Sequence, residues 1–360
     1  MRASYNASIP RSAIPLKHAK FKCLLVIDLP TKHGISCTHL IRIKMKILIT
    51  GAFGNIGQKV IHILLDKSYQ VVCFDLENKK NREVAEQFAA RVNVVWGDIT
   101  NEQQVCNVIS DVDAVIHMAA LLPAVVDRNP ALGEKVNVGG TKNIISAIKQ
   151  SDKQPQLIFC SSISVHGNRA PSDPYPIQVD QAFHAGDTYA GHKIACEKLI
   201  KEAGINATVV RIGACIDADS ELAGSAKEMI GFLLSVNPEC RFEYIHPKDV
   251  ALALANAVNN PSAIGNTYFL GGGKGCQGVW KDLTEIIFGA LGIRNLPATK
   301  FSKATYYTEQ MDTKAAQEVL NFQVHTLQDY KNEMDEKFKL LRIVLWPFRP
   351  LIKKWICSLA

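Results

Sequence analysis

From Met45 onward the apolar positions alternate between two periods. Continuous runs of Val, Ile, Leu and Phe read as strands buried on both faces: KILIT (46–50), QVVCFD (70–75), NVVWGD (93–98), DAVIHMAA (113–120), QLIFCSSIS (156–164) and ATVVRIGAC (207–215). Between them, apolar residues recur at helical spacing in NIGQKVIHILLD (55–66), REVAEQFAARV (82–92), NEQQVCNVIS (101–110), ALGEKVNVGGTKNIISAIKQ (131–150) and DTYAGHKIACEKLIKEAG (187–204). Strand and helix in strict alternation predict an α/β fold, a doubly wound parallel sheet covered on both faces.

After Ser164 the rhythm loosens. Residues 167–187, rich in Pro, Asp and Gly, read as a long surface loop. Further helices are expected at KEMIGFLLSV (227–236), KDVALALANAVNN (248–260) and WKDLTEIIFGALG (280–292), with a strand at NTYFLGG (266–272). Insertions gathered in this half predict a small C-terminal substrate-binding lobe, built from 167–187 and 216–300, on a catalytic domain spanning 45–336. Residues 1–44 lack periodic patterning and read as a leader or a disordered arm; their scarcity of acids also fits an organelle transit peptide.

The charge of the 360-residue chain, +7, changes meaning when divided. Residues 1–44 carry +7 and 337–360 carry +6, so the body between them is −6. A mildly acidic body lacks the basic face that nucleic acids need, so no nucleic-acid partner is expected. The ten cysteines are scattered without a CxxC pair, which predicts no metal site and a reducing, cytoplasmic setting. No apolar run reaches the length of a spanning helix.

Candidate chemistry lies at the strand ends. Gly51, Gly54 and Gly57 follow the first strand and open a helix, where bare backbone amides can face a pyrophosphate. Asp75 ends the second strand, placed to accept from an adenosine ribose diol or to make a strand-end turn. Its charge would repel a 2′-phosphate, which favours NAD over NADP, although Lys79, Lys80 and Arg82 follow closely. Asp98 ends the third strand, where it can meet an adenine edge or cap the next helix. Tyr189 and Lys193, four apart on one helix, project from the same face. An ammonium beside a phenol favours the phenolate and so makes Tyr189 a usable proton acceptor, with Ser162 able to bond the same substrate oxygen.

Taken in order, these motifs resemble the extended short-chain dehydrogenase/reductase superfamily, the NAD-dependent epimerase/dehydratase group. The resemblance covers about 45–295, with further echoes in HMAA (117–120), NVGGTKN (137–143), SSISVHG (161–167) and YIHPKDVA (244–251). It implies a seven-stranded Rossmann fold with the dinucleotide across the strand C-termini. Gly51, Phe53, Gly54, Asn55, Ile56 and Gly57 would hold the pyrophosphate and Asp75 the adenosine ribose. Asp98 and Ile99 would flank adenine; Met118, Ala119 and Ala120 would line the centre of the cofactor. Lys193 would hold the nicotinamide ribose, with Ser162, Tyr189 and Lys193 catalytic.

Three departures bear on the substrate. Val165-His166-Gly167 replaces the usual VYG. RIGACI (211–216) lacks the Asn that many nucleotide-sugar members carry. Arg241 lies eight residues before Asp249, where the family's diphosphate-binding Arg lies seven before its Asp. These argue against a UDP- or dTDP-sugar. The expected activity is therefore NAD-dependent hydride transfer at a secondary alcohol or ketone of a sugar-like or other polar small molecule. The alternatives are a nucleotide-sugar epimerase with transient oxidation and a non-catalytic NAD-binding scaffold at a membrane surface. His166, His184 and His192 could contact substrate or be partly exposed loop and helix residues.

The tail KFKLLRIVLWPFRPLIKKWICSLA (337–360) mixes six cations with Trp346, Phe348 and Trp355, and Pro347 and Pro350 forbid one long helix. It could lie peripherally in a membrane interface, or pack across the domain or against a second subunit of a homodimer.

Overall fold

The computed structural model describes residues 21–30, 36–218 and 226–359. Of the arm expected over 1–44, residues 1–20 and 31–35 lie outside the described residues; β1 (Phe21–Pro30) and β2 (Ser36–Lys44) pair antiparallel, apart from the main sheet.

The main sheet contains β3 (Lys46–Thr50), β4 (Gln70–Asp75), β5 (Asn93–Trp96), β6 (Ala114–His117), β7 (Gln156–Ser162), β8 (Ala207–Ile212) and β10 (Thr267–Leu270). Its order is β5-β4-β3-β6-β7-β8-β10 and every pairing is parallel. This is the doubly wound Rossmann-type α/β fold, with its order reversing between β3 and β6. Ligands of such sheets sit beyond the strand C-termini at that reversal.

Alternation along each strand divides the side chains between two cores. Ile47, Ile49, Val71, Cys73 and Ile158 face α1 (Asn55–Asp66), α2 (Lys79–Glu86), α9 (Pro247–Ala257) and α11 (Lys314–Leu320). Leu48, Val72, Phe74, Val115 and Phe159 face α3 (Glu102–Ile109), α6 (Gly140–Gln150) and α7 (Thr188–Ala203). Cys73 and Cys160 are buried here as small apolar residues. Each fully buried Val, Leu or Ile contributes about 1.5–3 kcal/mol, and the sheet interior is built almost wholly of them.

Two helices precede α6: α4 (Pro123–Arg128) and α5 (Pro130–Glu134), with a π-helical turn at Lys135–Gly139. The helix expected over 131–150 is present: α5, the π-helical turn and α6 follow one another without a gap, so the backbone stays helical from Pro130 to Gln150 and only widens at Lys135–Gly139.

A third core forms the lobe. The antiparallel pair β9 (Arg241–Glu243) and β11 (Gln277–Val279) packs with α8 (Ala226–Leu234), α10 (Trp280–Ala290) and α12 (Leu327–Lys337) around Phe242, Tyr244, Trp280, Phe288 and Tyr330. The tail continues as α13 (Lys339–Val344), a 3-10 turn at Trp346–Phe348 and α14 (Arg349–Ser358), with Ile356 fully buried in that core. Pro350 opens α14, so the helix restarts where the prolines forbid a continuous one.

Candidate active site

The glycine turn joins β3 to α1 under tight steric control. Gly51 has φ +67°, and a Cβ there would lie 2.9 Å from the Ala119 amide nitrogen. A Cβ on Gly57 would lie 2.4 Å from the Ala52 carbonyl oxygen, so only glycine lets α1 seat this closely on the turn. Gly54 N-caps α1 without a side-chain bond, and the first turn has no acid. By contrast, Asn78, Asn101, Asp187 and Thr326 cap α2, α3, α7 and α12 with their side chains. The amides of Asn55, Ile56 and Gly57 are therefore the donors left for an anion, and they fit a dinucleotide pyrophosphate.

Asp75 stands beside that turn. Its Oδ2 accepts from the Phe53 amide at 2.9 Å, and its Oδ1 accepts from the Leu76 amide at 2.8 Å and from Asn81 Nδ2 at 3.2 Å. Burial raises its pKa above the ordinary carboxylate value, against the lowering by these three donors. Asp98 is exposed, with Oδ1 accepting from the Thr100 amide at 2.8 Å; the cap of α3 is Asn101, not Asp98. Ile99 is buried against Gly140, and its carbonyl accepts from Asn143 Nδ2 at 3.0 Å.

Met118, Ala119 and Ala120 follow β6 directly beside the glycine turn. The Met118 amide donates to the Thr50 carbonyl and the Ala119 amide to Thr50 Oγ1, both at 3.2 Å. Asn137, in the π-helical turn, clamps Leu121 by accepting from its amide at 2.7 Å and donating to its carbonyl at 3.0 Å. Beneath runs a buried chain: Thr50 Oγ1 and His117 Nδ1 are 2.7 Å apart, His117 Nε2 and Thr141 Oγ1 3.2 Å, and Thr141 Oγ1 donates to the Asn137 carbonyl at 2.7 Å. Since Thr50 already accepts from Ala119, one assignment satisfies every group: the Thr50 hydroxyl donates to Nδ1, and Nε2–H donates to Thr141. Burial, reinforced by the Lys193 charge, pushes the His117 pKa down to about 3. The ring is neutral.

Tyr189 and Lys193 lie on the buried face of α7. Lys193 Nζ donates to the Cys160 carbonyl at 2.6 Å and stands 5.6 Å from the centre of the Tyr189 ring. Burial depresses the Lys193 pKa and raises that of Tyr189. Burial is the largest cause at both groups, and the Lys193 ammonium is directed at the Cys160 carbonyl. Ser162 closes β7, and its Oγ accepts from the Ser164 amide at 3.2 Å. The structure brings Tyr189 and Lys193 together on one face and places Ser162 at the adjoining strand end.

Behind this face lies an ion pair invisible in the sequence. Arg211 donates to Glu197 from Nε at 3.0 Å and from Nη2 at 2.7 Å, and the Ser161 hydroxyl donates to Glu197 at 2.5 Å. Arg211 Nη1 also donates to His166 Nε2 at 3.0 Å. Burial and the Arg211 charge lower the His166 pKa to about 4. His166 is committed to this network, His192 is buried against Gly133, and His184 is exposed beside Gly167.

Arg241 is similarly occupied. Nε donates to Glu309 Oε1 at 2.7 Å, and Nη2 donates to Glu309 Oε2 at 2.8 Å and to the Asp173 carbonyl at 2.7 Å. Nη1 donates to the Pro171 carbonyl, and the Tyr175 ring lies 4.1 Å from the guanidinium carbon. Nearby, the Tyr306 hydroxyl donates to Tyr307 at 2.7 Å; Tyr307 packs with Ile163, Ile177, Phe269 and Met311.

Residues 47–271 match the family model described as NAD dependent epimerase/dehydratase family. Among curated proteins, the mouse 3 beta-hydroxysteroid dehydrogenase type 7 is 30% identical over 162 residues, covering 43% of this chain and 44% of that enzyme; the chain thus spans less than half of its length. The D-erythronate dehydrogenase of Cupriavidus necator is 24% identical over 236 residues, covering 59% of this chain and 72% of that enzyme. Among solved structures, UDP-glucose-4-epimerase from Stenotrophomonas maltophila, with bound NAD and formylated UDP-arabinopyranose, aligns with TM-score 0.67 at 18% identity, covering 83% of this chain and 99% of that one. This last likeness is one of fold.

Proposed function

The chain belongs to the NAD dependent epimerase/dehydratase family, and from that premise we propose that it is an NAD-dependent oxidoreductase. It transfers hydride at a secondary alcohol or ketone of a sugar-like or other polar molecule without a nucleotide diphosphate. The observation that carries the chemistry is the pairing of a buried phenol, Tyr189, with a buried ammonium, Lys193, one helical turn apart beside the Ser162 strand end. NAD, when bound, supplies the hydride acceptor. The α1 amides would hold its pyrophosphate, Asp75 its adenosine ribose, and Lys193 its second ribose.

Ser162 Oγ orients the substrate oxygen, and Tyr189 exchanges a proton with it. In reduction the neutral phenol donates its proton to the forming alkoxide; in oxidation the phenolate takes the hydroxyl proton, and Lys193 steadies that anion. The reading of the substrate rests on Arg241, whose guanidinium is already neutralised by Glu309 and bonded to two carbonyls, leaving no free fork for a diphosphate. The D-erythronate dehydrogenase relative supports a small hydroxy acid.

A second reading, an apolar ring alcohol, draws on the hydroxysteroid dehydrogenase relative and on the Tyr307–Ile163–Met311 cluster next to Ser162. The purified chain is incubated with NAD and hydroxy acids, free sugars, uronates, hydroxysteroids and UDP-sugars. NADH accumulation with a hydroxy acid, sugar or uronate is the expected result. Accumulation with a hydroxysteroid alone selects the second reading, and product change on a UDP-sugar without net NADH overturns both.

A further inference from the structure

We propose that α13, the turn after it and α14 form a docking face for an anionic lipid surface, lying in the plane of the membrane and holding the acidic catalytic body above it. Residues 337–360 carry six cations and no acid. The segment is fastened to the lobe along one side. Ile352, Ile356, Cys357 and Leu359 pack into the lobe core, and Lys353 Nζ donates to the carbonyls of Arg294 and Asn295 at 2.9 Å each. Arg342 pairs with Asp335 at 2.9 Å, and Arg349 donates to the Arg342 carbonyl at 3.1 Å.

The other side is apolar and faces solvent. Leu340 is 78% exposed, Trp346 68%, Leu351 67%, and Ile343 and Val344 65% each. Half of the large apolar side chains exposed among the described residues fall between Leu340 and Trp355, a concentration that marks an interaction face rather than the usual scatter. Among the described residues no helix is long and apolar enough to cross a membrane, and Pro347 and Pro350 break the segment into short pieces. Such pieces, with tryptophans at their edges, suit the headgroup boundary.

Charge decides the occupant. Arg342 is answered by Asp335 and Lys339 by Glu336, while Lys354 stands exposed, and a second copy laid face to face would bring no further acid from this segment. An anionic lipid layer supplies the negative charge that the segment lacks, and the net −6 of residues 45–336 disfavours approach by that body.

The test uses the full chain and vesicles of phosphatidylcholine, with and without phosphatidylserine. Co-sedimentation with the phosphatidylserine vesicles alone is expected, with tryptophan emission shifting to the blue. Lys354→Ser should weaken partitioning about fivefold, and the exposed-face triple variant Trp346→Ser/Phe348→Ser/Leu351→Ser should abolish it. Thermal melts of the variants, compared with the parent, show that the lobe still folds. Absence of binding, equal binding to neutral vesicles, or undiminished binding by the triple variant overturns the proposal. So does a lipid-free dimer that the triple variant dissolves, which would assign the face to a second copy.

Discussion

Replacing His117 by Asn should flatten the acid limb of the chain's stability curve. His117 is buried with a folded pKa of about 3 against an ordinary 6.5. Below pH 6.5 the unfolded chain takes up a proton that the folded chain refuses. The stabilisation is complete above that pH and is lost progressively as pH falls toward 3. Burial explains the refusal, reinforced by the Lys193 charge: a charged imidazolium would have to be held without water beside an ammonium. Two pH units below 6.5 the loss from this residue is about 2.7 kcal/mol. Asn can still accept from Thr50 and donate, but it does not titrate. Urea unfolding at a series of pH values should show parent and variant separating by a smaller gap at about pH 4.5 than at about pH 7, the gap closing by about 2.7 kcal/mol. His166, Asp75 and Glu243 also have shifted pKa values, but they remain in both proteins and cancel in the comparison. A gap independent of pH would refute the neutral, doubly bonded ring.

Tyr189→Phe should reduce turnover by at least about a thousandfold while leaving NAD binding, measured by equilibrium titration, unchanged. In the parent enzyme, alcohol oxidation should rise with pH into the alkaline range and ketone reduction should fall, because burial raises the Tyr189 pKa; parallel profiles would contradict the assigned proton path. Asp75→Asn removes the charge that disfavours a 2′-phosphate, and the ratio of NADP to NAD affinity should increase. Glu197→Gln strands the buried Arg211 and should cost about 3–5 kcal/mol of unfolding free energy by chemical denaturation.

The sheet was legible because buried parallel strands are continuous apolar runs, and the expected bounds of 46–50, 55–66 and 70–75 are those observed. Helix α2 begins at Lys79 instead of 82, since Asn78 caps it, a start signal that apolar spacing does not carry. The helix over 131–150 was legible as well, but not the π-helical turn inside it, which leaves no mark on a period-3.6 pattern. At the site, the glycine turn and the Tyr189–Lys193 spacing are local and could be read directly. The Thr50–His117–Thr141 chain could not: Thr50 and His117 are 67 residues apart, and only the sheet sets them side by side. Asn137 had a signal in NVGGTKN, but its clamp on Leu121 is visible only in three dimensions.

The one-residue offset of Arg241 acquires a physical meaning from β9. In a strand, a shift of one residue turns a side chain to the opposite face. The position seven residues before Asp249 is Phe242, which is fully buried in the lobe core. Arg241 points the other way, toward the loop of Pro171 and Asp173, and there meets Glu309. An arginine kept for a diphosphate would need its fork free and its charge unanswered. Here a buried carboxylate answers the charge, and separating the two would leave Glu309 with only the Arg169 ion pair, at 3.9 Å, a loss that a phosphate would have to overcome before gaining anything. The same pair ties the 167–187 loop to the lobe. Arg241 in this chain is thus bound to Glu309 and to the carbonyls of Pro171 and Asp173, while Phe242 fills the lobe core at the position where the resemblance places its arginine.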